Sequence, residues 1–535
     1  MNFYVLIFNY RVRLSIEWHH LSRALVDQLH FIKRSLTQLR ESGKFFILSN
    51  YTKQGECIIW ECKRGENVKS FITVNDVEYA FSRGETIICC GIDDVVTAAA
   101  KEFAQSKGIT IRAGSPPPPP TSAPLAASAG AFGDKFAPAR PLPSLPAYHG
   151  AMSEAEIMRW REEFPILKNC VHAANCSVSA QSLSVRAAVN RYMDNWLTKG
   201  MDWDYWMVEI ANAKAEFAKL IGATPEEIFI CSSVSDAVAS VISSLDYSGG
   251  RNRVVTTEIE FPTVGHVLLA SAKRFGFDLR FIPSEGEEIA IEAYEKNIDE
   301  QTLISFITHV YYRNGFKQDV ARIADICHGK GSLVMVDSYQ ALGTTPVDVK
   351  QMHIDILASG CIKYLFGVPG ITFVYINKDL ATMLNPAITG WFGQVNPFSF
   401  EVRKLNYAMN TYRFDTGTPA ALTSFAAGAG IKLANDIGQK GIAQRIDYLS
   451  EIAILKADQL GLKCVSPRDV RKKGGTTAIE IEIDSHHMEM ELHKRDVLAS
   501  ARGNVIRIAP HFYTLPHEVE YAFEQIRDII DHGGH

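Results

Sequence analysis

The sequence predicts an α/β protein with a mostly parallel sheet, a smaller C-terminal α+β domain and a small N-terminal α/β module. Three observations predict this architecture. Strand-like and helix-like segments alternate from about residue 150 to residue 400. After residue 410 the pattern changes to long helices with a few short strands. A Pro-rich stretch separates both regions from the first 113 residues. Alternating strands and helices are typical of a parallel sheet with helices on both faces.

Length and composition indicate a soluble protein of several domains. A chain of 535 residues is too long for one ordinary core. Its net charge of −5 provides no general attraction for nucleic acid or anionic membrane, and no apolar run has membrane-spanning length. The ten cysteines follow neither a disulfide framework nor a zinc spacing. We therefore expect a cytoplasmic protein with reduced thiols, no metal site, and no nucleic-acid or membrane partner.

Residues 1–113 form the predicted N-terminal module, in which we find no catalytic constellation. Apolar residues at helical spacing predict a helix over Leu21–Ser42. The remaining predicted elements are strands at Met1–Asn9, Phe45–Leu48, Cys57–Trp60, Glu85–Ile92 and Ile109–Ile111, and a helix from Asp93 to Gln105.

Residues 114–150 form a predicted Pro/Ala-rich linker, which begins with a run of five prolines. Such a composition is typical of an extended, semi-rigid spacer. We expect the large domain to span residues 151–410 and the small domain residues 411–535. In the small domain the pattern predicts helices near 433–460, 488–500 and 516–531, and strands at Thr476–Ile483 and Val505–Ile508.

Asp337 and Lys363 are the strongest chemical signal. Asp337 ends an apolar strand-like run, and Lys363 stands in a turn of small residues about one helix and one strand later. A pyridoxal phosphate enzyme needs a Lys to hold the aldehyde as a Schiff base. It also needs a carboxylate that keeps the pyridine nitrogen protonated. The two residues are candidates for these two roles.

Further segments suit a phosphorylated cofactor and an amino acid. Phe229–Ser233 is predicted to be a strand that turns into a helix near Ser235, and the free N–H groups of a helix N-terminus bind phosphate. The other segments are Glu-Phe-Pro-Thr at 260–263, Val-Asp-Ser-Tyr-Gln at 336–340, Gly-Trp-Phe-Gly-Gln at 390–394, Arg-Phe-Asp-Thr-Gly-Thr-Pro at 413–419 and Val-Ile-Arg-Ile-Ala-Pro-His-Phe-Tyr at 505–513.

In this order the segments resemble the class V aminotransferase group of fold-type I pyridoxal phosphate enzymes, over residues from about 160 to 530. The group contains cysteine desulfurases, kynureninases, isopenicillin N epimerase-like proteins, sulfur lyases and aminotransferases. The resemblance implies the fold-type I transferase fold, pyridoxal 5'-phosphate as cofactor, an amino-acid substrate and a homodimer with shared active sites. The N-terminal module lies outside it.

The resemblance also implies a role for each matching residue. Lys363 forms the Schiff base and then moves the α-proton, and Asp337 pairs with the ring nitrogen. Arg507 grips the substrate carboxylate with its planar fork, and Asn175 lines the site. The remaining cofactor contacts are Val234, Ser235 and Ser359 at the phosphate, Phe261 on the pyridine ring, Gln340 as a donor to the ring oxygen, and Trp391 and Thr418 at the phosphate of the neighbouring subunit.

The reaction is narrowed by what the sequence lacks. A cysteine desulfurase needs a mobile thiolate, whereas Cys361 lies too near Lys363 to swing in and Cys464 is predicted to lie in a strand. Thr416 stands where a kynureninase places an Asn on its aromatic substrate. We therefore favour a lyase that acts through an external aldimine and a Cα carbanion and cleaves a side-chain bond such as C–S. A class V aminotransferase or epimerase is the alternative. Ser233 and Ile362 depart from the usual motifs, which leaves a non-catalytic scaffold as a further hypothesis.

Overall fold

The structure, a computed structural model, describes residues 135–532 and the segments 45–48, 59–62, 71–72, 87–90, 95–96 and 98–113 of the N-terminal region. The chain divides into two compact units, Met1–Ala129 and Gly130–His535. The predicted strand Met1–Asn9 and helix Leu21–Ser42 lie outside the described residues.

The described part of the first unit contains short strand pairs and one helix. Its elements are β1 (Phe45–Leu48), β2 (Ile59–Cys62), β3 (Phe71–Ile72), β4 (Ile87–Cys90), β5 (Val95–Val96), α1 (Ala98–Ser106) and β6 (Thr110–Ala113). The pair β1–β2 is antiparallel, whereas β3–β5 and β4–β6 are parallel. The predicted strand Phe45–Leu48 is confirmed. The helix begins at Ala98 rather than Asp93 because Val95 and Val96 pair with β3.

The second unit is built on a seven-stranded sheet. The strands of this sheet are β8 (Ile228–Cys231), β9 (Arg253–Thr257), β10 (Asp278–Ile282), β11 (Thr302–Thr308), β12 (Leu333–Asp337), β13 (Ile356–Gly360) and β14 (Thr372–Ile376). The short strand β7 (Val171–His172) precedes them and pairs outside the sheet, with Val497–Leu498. The sheet order is β10-β9-β11-β12-β13-β14-β8. The pairs from β10 to β13 are parallel, and only β14 runs antiparallel to its neighbours β13 and β8. The predicted α/β class with a mostly parallel sheet is therefore confirmed.

Helices cover both faces of this sheet. They are α2 (Glu154–Arg161), α3 (Leu183–Lys199), α4 (Trp203–Ile221), α5 (Val234–Ser243), α6 (Pro262–Phe275), α7 (Ile291–Asn297), α8 (Val320–Gly329) and α9 (Lys378–Met383). Strands β9, β13 and β14 are buried at every position. Burial on both faces is typical of a sheet that lies between two layers of helices. Among the described residues, no helix is both long and apolar enough to span a membrane.

The C-terminal region contains a three-stranded sheet and further helices. Its elements are α10 (Ala421–Ile437), α11 (Gln439–Gln459), β15 (Thr477–Glu480), α12 (Ser485–Lys494), β16 (Val497–Leu498), β17 (Ser500–Arg502), β18 (Val505–Ile508) and α13 (Pro516–His532). The helix predicted near 433–460 is confirmed over Gln439–Gln459, but its predicted start is wrong because residues 433–437 belong to α10. The backbone breaks at Gly438, whose φ of 97° is readily adopted by glycine.

The end of the predicted linker is held by the C-terminal region. Glu524 accepts hydrogen bonds from the N–H groups of Ala139 and Arg140, at 2.6 and 2.8 Å. Glu520 accepts one from Leu142 N–H at 2.6 Å. The ammonium of Lys456, which is fully buried, lies 2.7 Å from Glu524. Residues 139–142 are therefore anchored and do not act as a free spacer. The domain boundaries drawn from the sequence stay a prediction.

Candidate active site

Six of the predicted site residues meet at the carboxyl edge of the central sheet. A cavity of about 320 Å³ opens where β11 and β12 end and where β8 turns into α5. This edge is the usual binding site of open α/β sheets. Most of its wall comes from strand ends, helix starts and the segments that follow them: Ser232–Ser235, Phe261, Thr263, Thr308, Val310, Tyr312, Asp337, Tyr339, Gln340, Lys363 and Pro369–Thr372.

Asp337 occupies the end of β12 and is held in place by backbone groups. The N–H of Tyr339 donates to its Oδ1 at 2.9 Å, and the N–H of His309 donates to its carbonyl oxygen at 2.8 Å. Burial raises the pKa of the Asp337 carboxyl, and the N–H of Tyr339 and the positive charge of Lys363 oppose that rise. The side chain is thus a fixed acid on the cavity wall, suited to a cationic partner.

Lys363 reaches the same cavity from the turn after β13. Its Nζ lies 4.1 Å from the centre of the Tyr339 ring and 5.8 Å from the centre of the Phe261 ring. Burial lowers the pKa of the Lys363 amine to about 8, although Asp337 opposes the shift. A substantial neutral fraction therefore exists near neutral pH, and the neutral amine is the form that attacks a carbonyl.

Two helix N-termini also contribute to the cavity wall. Helix α5 begins at Val234 after the cap Ser233, whose hydroxyl accepts from Asp236 N–H at 3.1 Å. Helix α6 begins at Pro262, and its Thr263 also lines the cavity. Free N–H groups and the positive ends of the helix dipoles favour an anion here. The predicted phosphate contacts Val234 and Ser235 both lie on this wall.

Gln340 lies on the wall with its amide partly engaged. Its Nε2, the predicted donor to the ring oxygen, already donates to the carbonyl oxygen of Cys176 at 3.0 Å. Its Oε1 is buried and has no partner among the described residues. Burying a polar atom without a hydrogen bond is costly, so this oxygen is suited to a hydroxyl donor on a bound molecule.

Arg507 is buried beneath Tyr312 and does not itself line the cavity. Its Nη1 donates to the carbonyl oxygen of Tyr312 at 2.7 Å, and its Nη2 donates to the hydroxyls of Ser177 and Ser500 at 3.0 and 2.7 Å. Every acceptor of Arg507 among the described residues is neutral. A buried guanidinium without a carboxylate leaves positive charge next to the cavity, as the predicted carboxylate contact requires.

Besides Arg507, four predicted site residues lie away from the cavity wall. Ser359 is buried in β13 and donates to the carbonyl oxygen of Gly360. Asn175 accepts from the Tyr513 hydroxyl at 2.6 Å and donates to Ala509 O at 2.8 Å, so both ends of its amide are engaged. The other two are Trp391, which is half-buried among aromatic rings, and Thr418, which is exposed. This placement gives Ser359 and Asn175 no support as ligand contacts.

Tyr339 is the main wall residue that the sequence did not single out. Its ring covers Gly360, where a Cβ atom would lie 2.2 Å from ring atoms. Glycine at residue 360 is therefore what lets the ring lie against the end of β13. The signal was present, since Tyr339 stands between Asp337 and Gln340, but a tyrosine after a strand is also typical of a core. Thr308 and Tyr312 also line the cavity and were not singled out, because residues at or just after a buried strand are typical of a core.

This set of residues fits pyridoxal phosphate. The cavity wall carries a fixed carboxyl, a Lys of lowered pKa and two helix N-termini. Phe261 supplies an aromatic face on the same wall, and the orphaned Oε1 of Gln340 can accept from a ring hydroxyl. Asp337, Lys363, Phe261 and the start of α5 would hold the cofactor.

Comparisons with known proteins agree with this reading. Residues 189–515 match the family described as Aminotransferase class-V. An uncharacterized aminotransferase, YcbU of Bacillus subtilis, is 39% identical over 368 residues, which cover 69% of this chain and 96% of that protein. A probable cysteine desulfurase of Methanothermobacter thermautotrophicus is 25% identical and covers 70% of this chain and 98% of its own.

The fold has a close counterpart among solved structures. A cysteine desulfurase from Thermococcus onnurineus superimposes with a TM-score of 0.65 at 21% identity, covering 71% of this chain and 99% of its own. The shared architecture is that of fold type I. The family match and the 39% identical relative extend this likeness to the sequence. The chain therefore belongs to the class V aminotransferase family and is a pyridoxal phosphate-dependent enzyme.

Proposed function

We propose that this enzyme is a lyase that acts on an amino acid, with Lys363 as the base that removes the α-proton and cleavage of a side-chain bond such as C–S as the outcome. The observation that carries the proposal is that Lys363 and Asp337 line the same cavity, near enough for the charge of Asp337 to act on the pKa of Lys363. When bound, pyridoxal phosphate supplies an electron sink for the pair left at Cα. Asp337 would keep the ring nitrogen of the cofactor protonated.

The chain's own groups are sufficient for such an elimination. Lys363 takes the proton from Cα and leaves the electron pair of that bond at Cα. This pair forms the Cα–Cβ double bond as the Cβ–S bond breaks with its electrons on sulfur, and the ammonium of Lys363 returns the proton to the leaving thiolate. Arg507 supplies positive charge beneath Tyr312 for the substrate carboxylate.

The described cysteines disfavour a desulfurase that relies on a thiolate acceptor. None of them lines the cavity. Burial raises the pKa of the Cys361 thiol, and it also raises that of Cys464. A protonated, enclosed thiol is a poor nucleophile. Elimination needs one base and no acceptor side chain, which is what this cavity offers.

We further propose that the enzyme works as a homodimer with shared active sites. Apart from Lys363, the cavity wall carries no Lys or Arg among the described residues, so one subunit neutralises a phosphate with helix ends and hydroxyls alone. The segment that contains Trp391 continues into an exposed apolar stretch. It comprises Val395, Phe398, Phe400, Val402, Leu405 and Met409. Such patches mark interaction surfaces, and a partner seated there would bring Trp391 and Thr418 to the second site.

Transamination is the second candidate, because the 39% identical relative is called an aminotransferase. The two reactions are separated by incubating the holoenzyme with L-cysteine, L-cystine or L-alanine without any keto acid. A lyase releases ammonia and keto acid from L-cysteine or L-cystine over many turnovers and leaves L-alanine, which has no leaving group, intact. An aminotransferase stops after one turnover as pyridoxamine phosphate. Lys363→Ala should abolish both. Full turnover by that variant would refute the assignment of the base.

A further inference from the structure

Glu260 is a buried carboxyl beside the cavity, next in sequence to Phe261. Its Oε1 accepts two hydrogen bonds, from the Thr257 hydroxyl at 2.8 Å and from Thr308 N–H at 2.7 Å. Its Oε2 is buried without a partner among the described residues. The side chain does not line the cavity, whereas Phe261 and Thr308 on either side of it do.

These bonds join two strand ends that have separated. The pairing between β9 and β11 ends at Val255 with Ser305, so Thr257 and Thr308 lie beyond the ladder. The carboxyl of Glu260 therefore bridges Thr257 and Thr308 by hydrogen bonds where the two strands no longer pair. On its other side Thr308 is the register partner of Asp337. The carboxyl of Glu260 thus connects the loop that carries Phe261 with the end of β11. The end of β11 in turn pairs with the end of β12, which carries Asp337.

The surroundings of Glu260 favour its neutral form. Burial raises the pKa of this carboxyl to about 8, and the nearby charge of Asp337 adds to the rise. The other titratable groups around it are Tyr294 on α7, which also feels the charge of Glu260, and His309, whose pKa burial lowers to about 3. Lys363 lies beyond Asp337. With Glu260 neutral, Asp337 keeps the negative charge at this end of the cavity.

We propose that Glu260, in its neutral form, is a positioning residue that holds Phe261 and Asp337 in place for the cofactor. The inference rests on the proposed roles of those two residues. Glu260 contacts neither substrate nor cofactor in this scheme. It acts through the backbone of Thr308 and through the turn that leads into α6.

The test compares the dissociation constant of pyridoxal phosphate across Glu260→Gln, Glu260→Ala and Thr257→Val, at pH 7 and pH 9. Gln keeps both hydrogen bonds without a titratable group, so its affinity should match the wild type at pH 7. Ala leaves the Thr308 N–H unpaired and should weaken binding roughly tenfold or more. Val removes one bond and should weaken binding by about threefold to tenfold. Glu227→Gln alters another buried carboxyl, away from the cavity wall, and should leave affinity unchanged.

The pH comparison tests the charge state directly. From pH 7 to pH 9 the wild type should lose affinity relative to Glu260→Gln, by roughly tenfold, because only the wild type ionises there. The titration of Lys363 changes the cofactor affinity of both proteins equally, so it cancels in the ratio of their dissociation constants. A ratio that does not change with pH, a folded Gln variant as weak as Ala, or Ala and Val variants that bind like the wild type would each overturn the proposal. Failure of the proposed function has a different signature: a wild type without the visible band of lysine-bound cofactor, or a Lys363→Ala variant that keeps it.

Discussion

The ammonium of Lys363 lies 4.1 Å from the centre of the Tyr339 ring, so the cation faces an aromatic side chain that follows Asp337 by two residues. An ammonium over an aromatic face gains about 0.5–1 kcal/mol or more. Asp337 and Tyr339 thus stabilise the charged form together, against the burial that lowers the pKa of Lys363 to about 8. The balance between these effects sets how much neutral amine is present.

Replacing Tyr339 should change that balance. In Tyr339→Leu the aromatic face is lost, and the pKa of Lys363 should fall by roughly half a unit, from 0.5–1 kcal/mol of lost cation–π attraction. Tyr339→Phe keeps the face and should leave the pKa unchanged. The measurement is the rate of pyridoxal phosphate capture by the apo protein as a function of pH. A midpoint that moves equally in both variants would show that the hydroxyl, and not the ring, matters.

Asp337→Asn should separate cofactor binding from proton abstraction. Asn has nearly the same shape and can still accept from Tyr339 N–H, so pyridoxal phosphate should remain bound. Without the carboxylate the ring nitrogen loses its proton and the electron sink weakens. We expect Cα proton exchange of L-alanine in D₂O to slow by roughly 100-fold or more. An exchange rate equal to that of the wild type would remove the role of Asp337.

Local sequence was enough to single out Lys363 and Asp337, which line one cavity, because each stands in a short motif whose chemistry depends on few neighbours. Gln340 was singled out in the same way, yet the direction of its amide depends on Cys176, which is 164 residues away in sequence. Asn175 was also predicted to line the site, but it lies away from the cavity wall. Its partners Tyr513 and Ala509 come from the far end of the chain, and only the folded structure shows that they occupy its amide.

The contacts of Glu260 could not be predicted from the local sequence either. Nothing in Glu-Phe-Pro-Thr at 260–263 reveals that β9 and β11 separate at their ends, and this separation is what gives the carboxyl its bond to Thr308. The start of the helix predicted near 433–460 was misplaced because the backbone angle at Gly438 separates two helices. Periodicity detects the apolar faces of both helices but is insensitive to one residue of left-handed geometry between them.

Glu260 should also make stability depend on pH. Its pKa is raised from 4.5 to about 8 in the folded protein, so the native state binds more protons than the unfolded chain between those values. The free energy of unfolding should therefore fall as pH rises from about 5 to 8, by up to about 1.4 kcal/mol per pH unit. Glu260→Gln removes this contribution. Urea denaturation of both apo proteins at pH 5.5 and 8 measures it, and parallel pH trends would mean that Glu260 does not titrate in this range.

The anchored end of the linker predicts a difference between two truncations. Removing residues 1–129 cuts at the boundary between the two compact units and leaves the contacts of Ala139, Arg140 and Leu142 intact. Removing residues 1–147 deletes those N–H donors and the buried ring of Phe136, while Glu520 and Glu524 stay beside the buried ammonium of Lys456. The longer deletion should lower the free energy of unfolding by about 2–4 kcal/mol relative to the shorter one. Equal urea midpoints for the two truncated proteins would show that the anchor contributes nothing to the stability of the second unit.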